Sequence, residues 1–289
     1  MVDLFLGMLL LAVASAVALA AGLYVERQLS YRACDTLAIG VVLFAGIYGH
    51  SIWQRVALAE LFPFSNLIVV ANWFPIFAAF IIGLAWKRIP GGHCRRCLPS
   101  LALYLTAWFA VVTPILGESP RCDDVWTEDG FCAQSTEHTC TAASAASLLR
   151  LCGIEATEQE MADLCLTRTG TTWQGLYRGL KLKTEATDWD VSVVRGDVGD
   201  LVAASSSPMI LSVGLEWGRE VDGAYEREFG WAPGLRHSVL MLSADGADRV
   251  EIADPNPDIG REIWTVDELS LLYRGPALQL VQRKETPSS

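Results

Sequence analysis

Cys140, His237 and Asp254 lie far apart in the chain, and Gln134 stands six residues before the cysteine. Together these types can do nucleophilic chemistry. A thiol needs a base to take its proton, and the base needs an acceptor to fix its tautomer and orientation. A glutamine side chain supplies an N–H₂ for a developing oxyanion. The run Cys140-Thr-Ala-Ala-Ser-Ala-Ala-Ser-Leu-Leu-Arg-Leu, closed by Gly153, predicts a helix: it is rich in alanine and ends where glycine suits the left-handed cap. A cysteine in a first helical turn sits among unpaired N–H groups that favour the thiolate. The alternative for the same stretch is a buried structural cysteine on a core helix.

The elements that must position these groups can be read around them. Arg236-His237-Ser-Val-Leu-Met-Leu puts the histidine at the head of a strand, and Val250-Glu-Ile-Ala-Asp254-Pro255 puts the aspartate at the tail of the next. If the two strands pair as a hairpin, His237 and Asp254 fall at one end of a sheet. Val191–Val194, Met209–Val213 and Ala277–Val281 also read as strands, and Gly218–Gly234 as a long polar loop. Thr157-Glu-Gln-Glu160 is a capping-box pattern, and Thr172 can cap a helix through Leu176, Tyr177 and Leu180. Helices first and strands later predict an α+β domain, a central helix packed on an antiparallel sheet.

Gln-x5-Cys at a helix start, a later histidine opening a strand, and a strand ending in Asp-Pro resemble the papain-like cysteine peptidases. Among these the resemblance is to the bacterial family of double-glycine leader (bacteriocin-processing) peptidases. Thr169-Gly-Thr-Thr-Trp-Gln-Gly-Leu and Ser207-Pro208-Met-Ile-Leu-Ser-Val are similar to segments of that family. The resemblance covers roughly 134–281. It implies that Cys140 attacks a scissile carbonyl, His237 takes and returns the proton, Asp254 holds the imidazole, and Gln134 with the Cys140 N–H stabilises the oxyanion. It implies a peptide or protein substrate and no cofactor. Thr141 departs from the glycine usual after the nucleophile, and its bulk is expected to narrow the site. The chain holds no G-x-x-x-x-G-K-[ST] run, so no ATP site follows. Two other functions fit the same residues: a silent peptidase-like module that binds a peptide for recognition or assembly, and acyl transfer or deamidation by the same triad.

Apolar residues make up 52% of the 289-residue chain. Residues 1–117 hold seven Lys/Arg and four Asp/Glu, a balance of +3; residues 118–289 hold 15 and 29, a balance of −14. So acidic a second half argues against nucleic acid as a partner. The first half carries four apolar runs, Leu4–Leu23, Thr36–Trp53, about Leu61–Trp86 and Leu98–Gly117, each near the length that crosses a bilayer. The expected organisation is a four-helix transmembrane region over 1–117, a connector over 118–133 and a peptidase domain over 134–289. Arg27, Arg32, Lys87, Arg88, Arg95 and Arg96 mark cytoplasmic loops, which puts the domain on the extracytoplasmic side of a bacterial plasma membrane. The helices are expected to meet lipid and a membrane-protein partner. On that side disulfides persist, and Cys122–Cys132 and Cys152–Cys165 are candidate local bridges, with reduced core cysteines as the alternative. His93-Cys94-Arg-Arg-Cys97 has the spacing of half a metal site, with no second pair to complete it.

Overall fold

Leucine, alanine and phenylalanine dominate the first third of the chain, and there they form helices. In a computed structural model, which describes residues 1–53, 55–218, 222–227, 230–246 and 248–283, contacts divide the chain into two units, Met1–Leu116 and Gly117–Ser289. The first unit holds α1 (Val2–Gln28), α2 (Tyr31–Ile47, continuing as a π-helical turn to Ile52), α3 (Ala57–Leu61), α4 (Leu67–Val70), α5 (Phe74–Ala85) and α6 (His93–Val112). Helices α1 and α5 cross where Gly22 meets Gly83. A Cβ at Gly83 would stand 2.6 Å from Leu19 O and 2.8 Å from Gly22 Cα, so only glycine lets the backbones approach this closely. Tyr48 donates its hydroxyl to Ala71 O, and Asn72 Nδ2 donates to Ala110 O at 3.0 Å.

Outward, α1 exposes Phe5, Leu6, Leu9, Leu10, Val13 and Val17, an apolar surface that water does not tolerate at this extent. Three segments are long and apolar enough to cross a membrane: Val2–Gln28, Tyr31–Ile52 and Leu67–Ala85. Four runs were expected. The last becomes α6, whose first turn carries Arg95 and Arg96, and α6 is not among the three.

The second unit builds α7 (Cys140–Leu151), α8 (Glu158–Leu164), α9 (Trp173–Thr184), β1 (Trp189–Val194), α10 (Val198–Ala203), β2 (Met209–Val213), α11 (Ala224–Arg227), β3 (His237–Asp245), β4 (Arg249–Asp254), β5 (Gly260–Thr265), α12 (Val266–Leu272) and β6 (Ala277–Gln282). Its sheet is antiparallel throughout, in the order β1-β6-β2-β3-β4-β5. The expected α+β architecture is present, with the central helix on the sheet: α7 packs on β2 and β3. Ala142, Ala143, Ala145 and Ala146 have no solvent exposure, and their small side chains let α7 lie close on its neighbours. Behind the sheet, Val239, Met241, Val250 and Ile252 pack with Trp264, Leu201 and Leu269 into one apolar cluster. Residues 219–221 and 228–229 of the expected long loop lie outside the described residues, and Ala224–Arg227 within it forms α11.

All eight cysteines are free thiols, so neither candidate bridge is formed. Cys165 is instead buried against α9: its sulfur lies where a Cβ on Gly179 would fall, which ties its position to helix packing.

Candidate active site

Antiparallel pairing of β3 with β4 decides the geometry. Leu240 pairs with Ala253, and continuing that register sets Asp254 opposite Val239, so His237 is its diagonal neighbour on the same face. His237 Nε2 lies 2.8 Å from Asp254 Oδ1. The same carboxylate oxygen accepts the Asn256 backbone N–H at 2.7 Å, which fixes the aspartate's rotamer where Pro255 ends the strand. Asp254 is buried and His237 partly so, with side-chain exposures of 2% and 22%. Trp231 meets the imidazole edge-to-face at 6.1 Å and Trp264 at 6.1 Å, walling one side of the pair.

Cys140 is the first residue of α7, and its thiol lies within electrostatic reach of the His237 ring. Since Nε2 faces Asp254, Nδ1 is the nitrogen left for sulfur. Burial alone would push the thiol up. The bond to His237 and its charge, then the Ser238 backbone and the Thr141 hydroxyl, outweigh burial and hold it below its ordinary value. Burial would likewise push the imidazole down, but its bonds to Asp254 and then Cys140 raise it to about 10. Both shifts favour one state, a thiolate beside an imidazolium. Among the eight cysteines this environment is particular to Cys140: Cys122, Cys132 and Cys165 are pushed up to about 12, chiefly by burial.

The start of α7 is held from both sides. Thr139 Oγ1 accepts from Thr136 N at 3.0 Å and donates to Thr136 O at 3.0 Å, so it does not cap the helix. As the first helical residue, Cys140 has an N–H with no intrahelical acceptor. Gln134 is anchored by its backbone N–H to Pro255 O at 2.7 Å, next in the chain to Asp254. Its Oε1 is buried without a hydrogen-bond partner. Thr141 stands beside the thiol, its hydroxyl 4.0 Å from Cys140 Sγ. Its hydroxyl lies 2.8 Å from Ser238 Oγ, between α7 and β3, and Ser144 Oγ donates to Ser238 O at 3.3 Å.

The structure therefore brings Cys140, His237 and Asp254 into one neighbourhood, with His237 hydrogen-bonded to Asp254 and Gln134 anchored at Pro255. Sequence reasoning missed Trp231, Ser238 and the loop residues behind Gln134; a tryptophan within a polar glycine-bearing loop was the one signal for the first. No group of three or more metal-ligating side chains occurs among the described residues, and Cys94 and Cys97 are both exposed on the first turn of α6. A cavity of about 420 Å³ opens behind the triad, lined by Asp254, Trp231, Trp264, Arg261 and Glu262 among others.

No protein-family model matches the chain, and no curated protein matches it. Among solved structures it is similar to the peptidase domain of Streptococcus ComA, a bi-functional ABC transporter involved in a quorum sensing pathway. That match has 17% identity and a TM-score of 0.42, over 53% of this chain and 98% of that one. The peptidase domain of Streptococcus mutans ComA is similar at 18% identity and TM-score 0.37, over 52% and 98%. A double-glycine motif protease from an AMS/PCAT transporter, in complex with its leader peptide, is similar at 15% and 0.40, over 58% and 99%. The structural neighbours are thus peptidase domains of the kind the sequence resembles.

Proposed function

We propose that the chain is a membrane-anchored cysteine peptidase that cleaves a peptide bond in an exported or membrane-associated peptide. One observation supports this reading: His237 is hydrogen-bonded to Asp254 and acts electrostatically on the Cys140 thiol, so that thiol and imidazole are biased toward an ion pair. The Cys140 thiolate attacks the scissile carbonyl carbon, and the C=O pair moves to oxygen. The Gln134 side-chain N–H₂ and the Cys140 backbone N–H donate to that oxyanion. The His237 imidazolium gives its proton to the leaving amine as the C–N bond breaks, leaving an acyl-thioester. Neutral His237 then takes a proton from water, whose attack expels the Cys140 sulfur, releases the acid and restores the thiolate–imidazolium pair. Asp254 holds the ring throughout.

Helix α6 serves as a fourth crossing in this reading. Leu98, Leu101, Leu105 and Phe109 on it are exposed, an apolar surface suited to lipid. With Lys87, Arg88, Arg95 and Arg96 held at the cytoplasmic face, four crossings place residues after Gly117 outside. The full chain in detergent, given fluorogenic peptidyl amides ending in Gly-Gly, should cleave them, and Cys140→Ala and His237→Ala should each abolish cleavage. Undiminished cleavage by Cys140→Ala would remove the reading. The alternative, a silent peptidase-like binding module, predicts a Cys140 thiol inert to alkylation at neutral pH.

A further inference from the structure

Glu158 is a carboxylate with no solvent exposure, on the first turn of α8, and no basic side chain pairs with it among the described residues. An ionised carboxylate buried without partners costs several kcal/mol, so its hydrogen bonds show what it holds. Both of its oxygens go to one residue. Ser135 N donates to Oε1 at 2.8 Å, and Ser135 Oγ donates to Oε2. Ser135 Oγ in turn accepts the Asp123 N–H at 2.7 Å, and Gln159 N donates to Asp124 Oδ1 at 2.9 Å. Residues 123–124 of the connector, the first turn of α8 and Ser135 thus form one polar knot, buried at Glu158 and open to solvent at Asp123. Ser135 directly follows Gln134, whose own backbone N–H is tied to Pro255 on the other side.

We propose that Glu158 is a positioning residue: through the two bonds to Ser135, and with the connector strand behind them, it fixes the backbone from which Gln134 presents its amide to the oxyanion. The proposal rests on the reading of Gln134 and Cys140 given above. Pinned at Pro255 and at Glu158, the Gln134–Ser135 peptide has little freedom to swing, as a preorganised donor requires. Packing alone is a poor account of the pattern, since both carboxylate oxygens accept from Ser135, with the Cys122 thiol also beside them.

Two reactions of Cys140 separate this role from general damage. Alkylation by iodoacetamide displaces iodide from a saturated carbon and makes no oxyanion, so it reads only the thiolate. Acylation by p-nitrophenyl acetate passes through a tetrahedral oxyanion: the sulfur–carbon bond forms, p-nitrophenolate leaves and the thioester remains. In the full chain, Glu158→Ala should slow acylation by about 100-fold and Ser135→Ala by about tenfold, the scale expected for a displaced catalytic group. Alkylation rate and its pH profile should stay at wild-type values in both. Glu158→Gln, which keeps an acceptor for Ser135 N, should recover most of the loss. Adding Glu158→Ala to Gln134→Ala should slow acylation no further than Gln134→Ala alone, because the two act through one group. Unchanged acylation, equal losses in both reactions, or additive losses with Gln134→Ala would each overturn the proposal. Should Glu158→Ala not fold, Ser135→Ala carries the same comparison. With alkylation followed at the Cys140 peptide alone, acylation at the wild-type rate in Cys140→Ala would instead show that the nucleophile itself was misread.

Discussion

Asp254 Oδ1 accepts at once from the Asn256 backbone at 2.7 Å and lies 2.8 Å from His237 Nε2. The first contact locks the carboxylate, and the second turns the opposite ring nitrogen toward Cys140. A turn-former before proline and an orienting acid are here the same residue.

Asp254→Asn tests that relationship through pH. With its pKa raised from 6.5 to about 10, His237 contributes stability that is full below 6.5 and is lost as pH rises through about 10. Removing the carboxylate charge lowers the imidazole, so the alkaline limb of peptidase activity should move down from near 10, with kcat reduced by about 10²–10⁴. A pH–rate profile checks both; an unmoved alkaline limb would show that Asp254 does not hold the imidazolium.

Thr141→Val leaves the buried Ser238 hydroxyl without its 2.8 Å partner. The cost should be about 1–3 kcal/mol of stability. Thr141→Val combined with Ser238→Ala should cost less than the sum of the two, since no polar group is then stranded. Thermal unfolding of the four proteins measures it.

Gly83→Val tests the helix crossing of the first unit. Its Cβ would fall 2.6 Å from Leu19 O, in backbone that cannot give way as a side chain would. Overpacking of this kind costs about 1–3 kcal/mol or more, so the melting temperature in detergent should fall. Gly40→Val, at a glycine with open space around it, should leave it unchanged.

Much of the active site could be read before any coordinates, because chain order carried it. Cys140 opens an alanine-rich helix, His237 heads β3 and Asp254 ends β4 at proline. Each local signal is set by residues within a few positions. What escaped depended on distant partners. Gly260-Arg-Glu-Ile-Trp-Thr is one-third charged and reads poorly as a strand, yet it forms the sheet edge because β4 supplies its ladder. Thr157-Glu-Gln-Glu160 reads as a cap, and Thr157 does accept from Glu160 N at 3.1 Å. Nothing local shows that Glu160 turns outward to Lys183 while Glu158 is buried on Ser135. Burial of a charge is a property of the packed unit. The same holds for Thr141, whose bulk matters only through where Ser238 stands.

Membrane orientation yields a labelling pattern. Chains keeping only Cys94, or only Cys152, differ in the side on which their thiol should lie. A membrane-impermeant maleimide on intact cells should modify the Cys152 chain and spare the Cys94 chain until the cells are opened. The reverse pattern would put the catalytic unit in the cytoplasm.

The most direct measurement is the rate at which iodoacetamide modifies Cys140 as a function of pH, followed by mass spectrometry of its tryptic peptide in wild type and His237→Ala. A thiolate held by imidazolium should react at neutral pH, titrate below the ordinary thiol value of 9.0, and lose that advantage in His237→Ala. A wild-type Cys140 that titrates at or above 9.0, with no change on removing His237, would contradict the account.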